Sequence, residues 1–280
     1  MKKILALALS MYALTALAQI RTPAPSPTQT IIQDLGLGKV ELTYSRPSLK
    51  GREVFKEKSE LAPLGEVWRT GANSATKLRF NDPVTFGGNA LDTGNYALFT
   101  IPGKNEWTVI INKNYKNWGT EYVEKDDIFR FKVPADKLKE TRESFTMQFA
   151  NLKPEGCDLR LAWGNVGITI PITVSVKEKI RASVDKALAG DKITANTYRA
   201  AANFYYTWDK DYDKALANAS KAVETDPKSI SAYLLKAQIE KDMGNKAAAK
   251  ADAEKCVELA TAAKNSEYIK MGNEVLDKVK

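Results

Sequence analysis

The run Ile168-Thr169-Ile170-Pro171-Ile172-Thr173-Val174-Ser175-Val176-Lys177-Glu178-Lys179-Ile180-Arg181-Ala182-Ser183-Val184-Asp185-Lys186-Ala187-Leu188-Ala189-Gly190 changes its hydrophobic rhythm partway along. Up to Val176 the apolar residues recur at every second position, the period of a strand with one dry face. After Lys177 they fall at Ile180, Val184, Ala187 and Leu188, the spacing of a helix that buries one stripe. Pro171 cannot donate to a ladder, so it places the strand at an edge or on a bulge. Gly190 is placed as the C-cap of a connecting helix over residues 177–190. The fold is expected to change from β to α near residue 177.

Reading outward toward the N-terminus, the period of two returns. Val40, Leu42 and Tyr44 alternate with Lys39, Glu41 and Thr43, and Phe129, Phe131 and Val133 with Arg130 and Lys132. Phe145, Met147 and Phe149, then Leu159, Leu161 and Trp163, repeat the pattern, and Thr76–Phe80 and Val84–Phe86 add two short strands. Tyr96–Ile101, the turn Pro102-Gly103-Lys104-Asn105 and Trp107–Lys113 read as a hairpin. It is apolar on both faces and therefore central. About nine short strands separated by turns predict an antiparallel β-sandwich, or a flattened barrel, over residues 36–176. No helix–strand alternation and no Gly-rich phosphate fingerprint accompanies them, which argues against a parallel nucleotide-binding sheet. Ahead of the sandwich, residues 19–35 with Pro23, Pro25 and Pro27 read as a proline-rich, extended lead.

Toward the C-terminus an internal repeat appears. Ala215, Ala219 and Ala222 are matched 34 positions later by Ala249, Ala253 and Cys256, and 34 residues is the tetratricopeptide period. Small side chains at these sites let two antiparallel helices approach closely. Tyr206, Asp211-Tyr212-Asp213-Lys214-Ala215-Leu216 and the closing Asp226-Pro227 resemble the same repeat, as do Tyr233 and Gly244 in the second copy. Arg199 stands where the first aromatic is usual, and the second copy lacks the proline. Residues 265–279 read as a polar capping helix, which completes an all-α, tetratricopeptide-like hairpin array over 191–280. The class is thus α+β, and the array is expected to bind a protein or peptide partner.

The chain begins with Lys2-Lys3, an apolar run from Ile4 to Leu17 and a small-x-small site at Ala16-Leu17-Ala18. That order predicts a signal peptide over residues 1–18. The apolar run is shorter than the ~20 residues a spanning helix needs. No cysteine lies nearby to take a lipid anchor, so the mature protein is expected in the periplasm or outside the cell, with no membrane span. The 280 residues are 44% hydrophobic and 27% charged, enough for one or two ordinary cores. The net charge of +8 becomes +6 once the two leading lysines are removed. The remaining excess is split evenly at three per half, with signs interleaved. Nucleic-acid binders concentrate charge in a stripe, so nucleic acid is not an expected partner. Cys157 and Cys256 fall in different halves; a bridge would staple the domains together, and two buried thiols is the simpler reading.

Histidine is absent from the whole sequence. That removes Ser-His-Asp and Cys-His nucleophilic machinery, imidazole zinc sites and His-ligated haem. No calcium-type loop is present, and Asp126-Asp127 reads as a solvated turn, so no metal, cofactor or catalytic residue is assigned. Paired carboxylates acting on envelope glycan or peptide form the alternative, with Glu53, Glu66 and Asp82 as its candidates.

The most unusual segment runs from Ser45 to Thr76 and holds Ser45-Arg46-Pro47, Lys50-Gly51-Arg52 and Trp68-Arg69-Thr70-Gly71-Ala72-Asn73. Together with Tyr96-Ala97-Leu98-Phe99-Thr100-Ile101-Pro102-Gly103, Trp107-Thr108-Val109-Ile110, Asn112-Lys113 and Trp118-Gly119, it resembles the signature of a bacterial family known as domain of unknown function 2911. Ser74, Leu64 and Lys56 depart from the family's usual acid, Tyr and Gly. The resemblance implies an exported β domain and no mechanism. Two readings of the segment compete. Its guanidinium and aromatic groups either fix the fold, or Arg46, Arg52, Trp68, Arg69, Thr70, Asn73, Tyr96 and Trp107 line a site for an anionic, carbohydrate or peptide ligand. The function this predicts is a non-enzymatic binding or scaffold protein.

Overall fold

The computed structural model describes residues 22–116 and 118–280. The predicted signal peptide and the first residues of the lead lie outside them. The chain divides into two compact units between Val174 and Ser175.

The first unit is a nine-stranded antiparallel sheet in the order β1-β2-β3-β6-β7-β8-β9-β4-β5. The strands are β1 (Thr28–Leu35), β2 (Gly38–Ser45), β3 (Thr76–Phe80), β4 (Val84–Phe86), β5 (Asn89–Leu91), β6 (Gly94–Ile101), β7 (Glu106–Asn112), β8 (Asp127–Lys153) and β9 (Gly156–Thr173). β8 makes this sheet a sandwich. Its first third pairs with β7, its remainder pairs with β9, and the long strand carries the chain from one layer to the other. Side chains from the two layers meet in between: Tyr44 of β2 against Phe145 of β8 at 5.7 Å between ring centres, and Phe80 of β3 against Phe86 of β4 at 6.0 Å. One seam is stitched further, because Phe145 N–H donates to Pro47 O and Leu49 N–H to Glu143 O.

Several expectations change in detail. Residues 28–35 are not lead: they form β1, which pairs along its whole length with β2 from Thr28↔Ser45 to Leu35↔Gly38. The proline-free part of the lead can join a ladder, and only its proline-bearing part cannot. The segments 129–133 and 145–149 are parts of one strand, as are 159–163 and 168–172, while β5 is an additional short strand. Pro171 lies beyond the last β8–β9 pair, Ala135↔Ile168, and opposite Gly87, the residue after β4, whose N–H its carbonyl accepts at 2.8 Å, so the missing donor falls at the end of the β4–β9 ladder. The β6–β7 hairpin is central. Its outer face is covered by Tyr115 and Tyr122, which pack on Ala97, Phe99 and Ile110.

The second unit holds α1 (Lys177–Leu188), α2 (Ala195–Phe204), α3 (Tyr212–Thr225), α4 (Ile230–Asp242), α5 (Lys246–Ala262) and α6 (Ser266–Val279). α1 ends on Ala189, whose N–H reaches Asp185 O, and Gly190 does not adopt the left-handed conformation expected of a glycine cap. The hairpins α2–α3 and α4–α5 bury the predicted small stripe: Ala215, Ala219, Ala222, Ala249, Ala253 and Cys256 have no exposed surface. Turns 34 residues apart share one conformation, with Lys210 at φ 58° and Gly244 at φ 82°. α6 closes the array through Gly272, where a Cβ would stand 2.6 Å from Val257 Cγ2. Among the described residues no helix is long and apolar enough to cross a membrane.

Candidate functional site

The loop Trp68–Asn73 is built from unusual backbone. Thr70 (φ 52°) and Asn73 (φ 60°) are left-handed, and Gly71 sits at φ 154°, where a Cβ would stand 3.0 Å from Ser45 O. Left-handed geometry at a β-branched residue is strained, of order 1–3 kcal/mol, and persists only where the surroundings enforce it. Here they do. The Thr70 hydroxyl lies 3.1 Å from the Thr100 hydroxyl, and the Thr70 carbonyl accepts the Thr76 hydroxyl at 2.6 Å. Trp68 N–H donates to Thr100 O and Thr100 N–H returns the bond to Trp68 O, which adds the loop to β6 as a one-residue strand.

Each predicted ligand residue has a place in this scaffold. Trp68 is buried, its indole N–H satisfied by Gly71 O at 3.1 Å and its ring packed among Trp163, Phe145, Phe55 and Trp107. Trp107 is 1% exposed, and its indole nitrogen has no hydrogen-bond partner. Arg69 Nη1 donates to Asn73 O at 2.9 Å while its stem lies against Gly119. Asn73 Nδ2 reaches Ser26 O at 3.3 Å and Ser45 Oγ at 3.2 Å, tying the segment before β1 to the end of β2. Arg46 spans the layers, with Nε to Phe145 O at 3.1 Å and Nη2 to Thr146 Oγ1 at 3.0 Å. Arg52 bonds the carbonyls of Ser48 and Leu49 in its own turn. Tyr96 gives its hydroxyl proton to Asp92 O, and burial, aided by Asp92, pushes that phenol up.

The structure therefore brings Trp68, Arg69, Thr70 and Asn73 into one loop and places Arg46, Arg52 and Tyr96 elsewhere. Their polar atoms bond mainly to backbone carbonyls of the chain. Partners that the sequence reading missed are Ser26, Ser45, Thr100 and Gly119, each far from the loop in sequence. The nominated carboxylates also separate. Glu66 adjoins the β6 end at Pro102, because Gly65 N–H donates to Pro102 O. Asp82 follows Phe80, which pairs with Gly94 at the other end of that strand. Eight residues at about 3.3 Å each put these acids roughly 25 Å apart, too far for glycosidase chemistry. Glu53 is exposed beside Lys56. Cys157 and Cys256 are free, buried thiols, and burial pushes both pKa values up, that of Cys157 to about 11.

In the helical unit a cavity of about 240 Å³ opens on one side of the array. It is lined by Tyr206 just after α2, by Gln238 and Lys241 of α4, and by Met271, Glu274, Val275 and Lys278 of α6. The second helices of the hairpins, α3 and α5, contribute nothing to it, so this is the groove formed by the first helices and the cap. Tyr206 donates to Asp242 at its edge, and burial together with that carboxylate raises the phenol far above its ordinary range. Met271 is exposed at 37%. On the side of α4 that meets α5, Lys236 binds Asp252 at 2.6 Å and Glu240 at 3.3 Å. Glu240 is buried, with Oε2 lacking a hydrogen-bond partner.

Two family descriptions match the chain. "Tetratricopeptide repeat" covers residues 230–262, the α4–α5 hairpin, and assigns that unit to an architecture of protein–protein interaction and scaffolding. Curated proteins yield no match. "Protein of unknown function (DUF2911)" covers residues 26–172, from just before β1 nearly to the end of β9 and over half the sequence, and the chain belongs to that family.

Proposed function

We propose that this is an exported, non-enzymatic binding or scaffold protein of the bacterial envelope, periplasmic or secreted, whose helical array holds a segment of a partner protein. The observation that carries the reading is the lining of the helical groove: exposed Met271 with Val275 as an apolar floor, Gln238 as an amide, and Lys278 and Lys241, the latter paired with Asp242 at 2.9 Å, beside the lining acid Glu274. An extended peptide with one apolar side chain and an acidic flank complements that surface. In this reading Trp68, Arg69, Thr70 and Asn73 lock the β unit, Arg46 holds its seam, and Arg52 braces its own turn. The leading Lys2-Lys3, apolar run and Ala16-Leu17-Ala18 support export.

Selection of peptides from a random library on the full chain tests it. Enrichment of acidic peptides with a central apolar residue, lost on Lys241→Glu with Lys278→Glu, is the expected result. Selected peptides that bind the double variant equally well would contradict it.

A further inference from the structure

The outer face of the β8–β9 ribbon carries a cleft unconnected with the peptide groove. Between the pairs Lys137↔Val166 and Arg142↔Gly164, β8 advances by more residues than β9, and it does so again before Thr146↔Ala162. The surplus arches out of the sheet as an extended bulge, a device that commonly re-aims side chains beside binding sites. Leu138 folds back over Gly167, where a Cβ would stand 3.0 Å from Leu138 Cδ2. Beside the arch lies a cavity of about 590 Å³, within the ~300–1,000 Å³ typical of small-molecule sites.

Its chemistry is selective. Three cations, Lys139, Arg142 and Arg160, border it against two acids, Asp136 and Glu140, with Thr146 and Gln148 between them. The side chains of Arg160 and Lys139 make no hydrogen bond or ion pair among the described residues. Arg142 meets only Glu140, at 3.6 Å on the surface, a contact of little strength. Gln148 lies directly across the ladder from Arg160, so an anion held by the guanidinium is within reach of the amide. Thr146 is fixed by Arg46 and by its own bond to Ser144 O. No aromatic ring lines the cavity, which removes base stacking, and hydroxyl, amide and carboxylate groups around a cationic centre suit a hydroxylated acid.

We infer that this cleft binds an acidic sugar, its carboxylate in the fork of Arg160 with Arg142 alongside and its hydroxyls on Gln148 and Glu140. Titration of the isotope-labelled full chain with glucuronate, a galacturonate tetramer and glucose, followed by amide shifts, tests it. Saturable shifts at Thr146, Gln148 and Arg160 with either acid and none with glucose are expected. A stronger response to the tetramer assigns the site to a glycan chain, and a stronger response to glucuronate to the free sugar. Arg160→Ala and Arg142→Ala should each weaken binding about tenfold or more, while Lys39→Ala should not. Absence of saturation with both acids, equal binding of glucose, or unchanged affinity in both arginine variants would overturn the assignment.

Discussion

The phenol oxygen of Tyr44 on β2 accepts the backbone N–H of Met147 on β8 at 2.8 Å, joining the two layers of the sandwich by one side chain. Its proton is shared between Gln29 Oε1 at 2.9 Å and Met147 O at 3.2 Å. Tyr44→Phe keeps the ring against Phe145 and leaves a buried N–H unpaired, a loss of about 1–3 kcal/mol. Urea denaturation should show it as a lower midpoint with an unchanged slope.

Arg46 and Arg52 separate a lock from a ligand site. Arg46→Ala removes two charge-assisted bonds across the seam and should cost about 1–3 kcal/mol. Arg52, exposed and bound only to its own turn, should cost less than about 0.5 kcal/mol as Arg52→Ala. Thermal unfolding of both variants reads the difference, and equal effects would remove the seam argument.

Position 210 repeats the turn of Gly244 with a lysine in left-handed conformation. Lys210→Gly relieves roughly 1 kcal/mol of backbone strain and gives up the cation over Tyr206, 5.9 Å from its ring centre. The net expectation is a small gain, read from the helical signal during thermal unfolding.

Glu240 gives the helical unit a pH dependence. Burial, then the neighbouring Asp252, pushes its pKa from 4.5 up to about 7 against the opposing pull of Lys236. Between those values the folded state keeps a proton that the unfolded state has released, so stability falls as pH rises and the contribution is lost through about pH 7. Glu240→Gln should flatten the decline and exceed the wild type in stability above that pH. Denaturation of the full chain at several pH values, followed by the helical signal, checks the sign.

Periodicity made β2, β3 and the helical repeats legible, because each has one regularly buried stripe, and the β6–β7 hairpin was legible from its turn and its two apolar faces. β1 escaped because it is a polar edge strand: Thr28–Leu35 is fully buried only at Leu35, and its pairing with β2 carries it. The unity of β8 escaped because residues 135–144 are almost wholly polar and arch away from β9, which reads as a loop. At the Trp68 loop the sequence shows a dense motif and not its partners, since Ser26, Ser45, Thr100 and Gly119 are supplied by the fold. Glu240 was missed although its position three residues after Ala237 and four after Lys236 places it on the buried face.

Methyl labelling of methionine puts one probe in each relevant place: Met147 in the core of the β unit, Met243 at the end of α4 and Met271 in the helical groove. On adding a selected acidic peptide to the full chain, the Met271 methyl signal should shift in proportion to occupancy while Met147 stays fixed. A shift at Met147 with none at Met271 would place binding in the β unit and contradict the account.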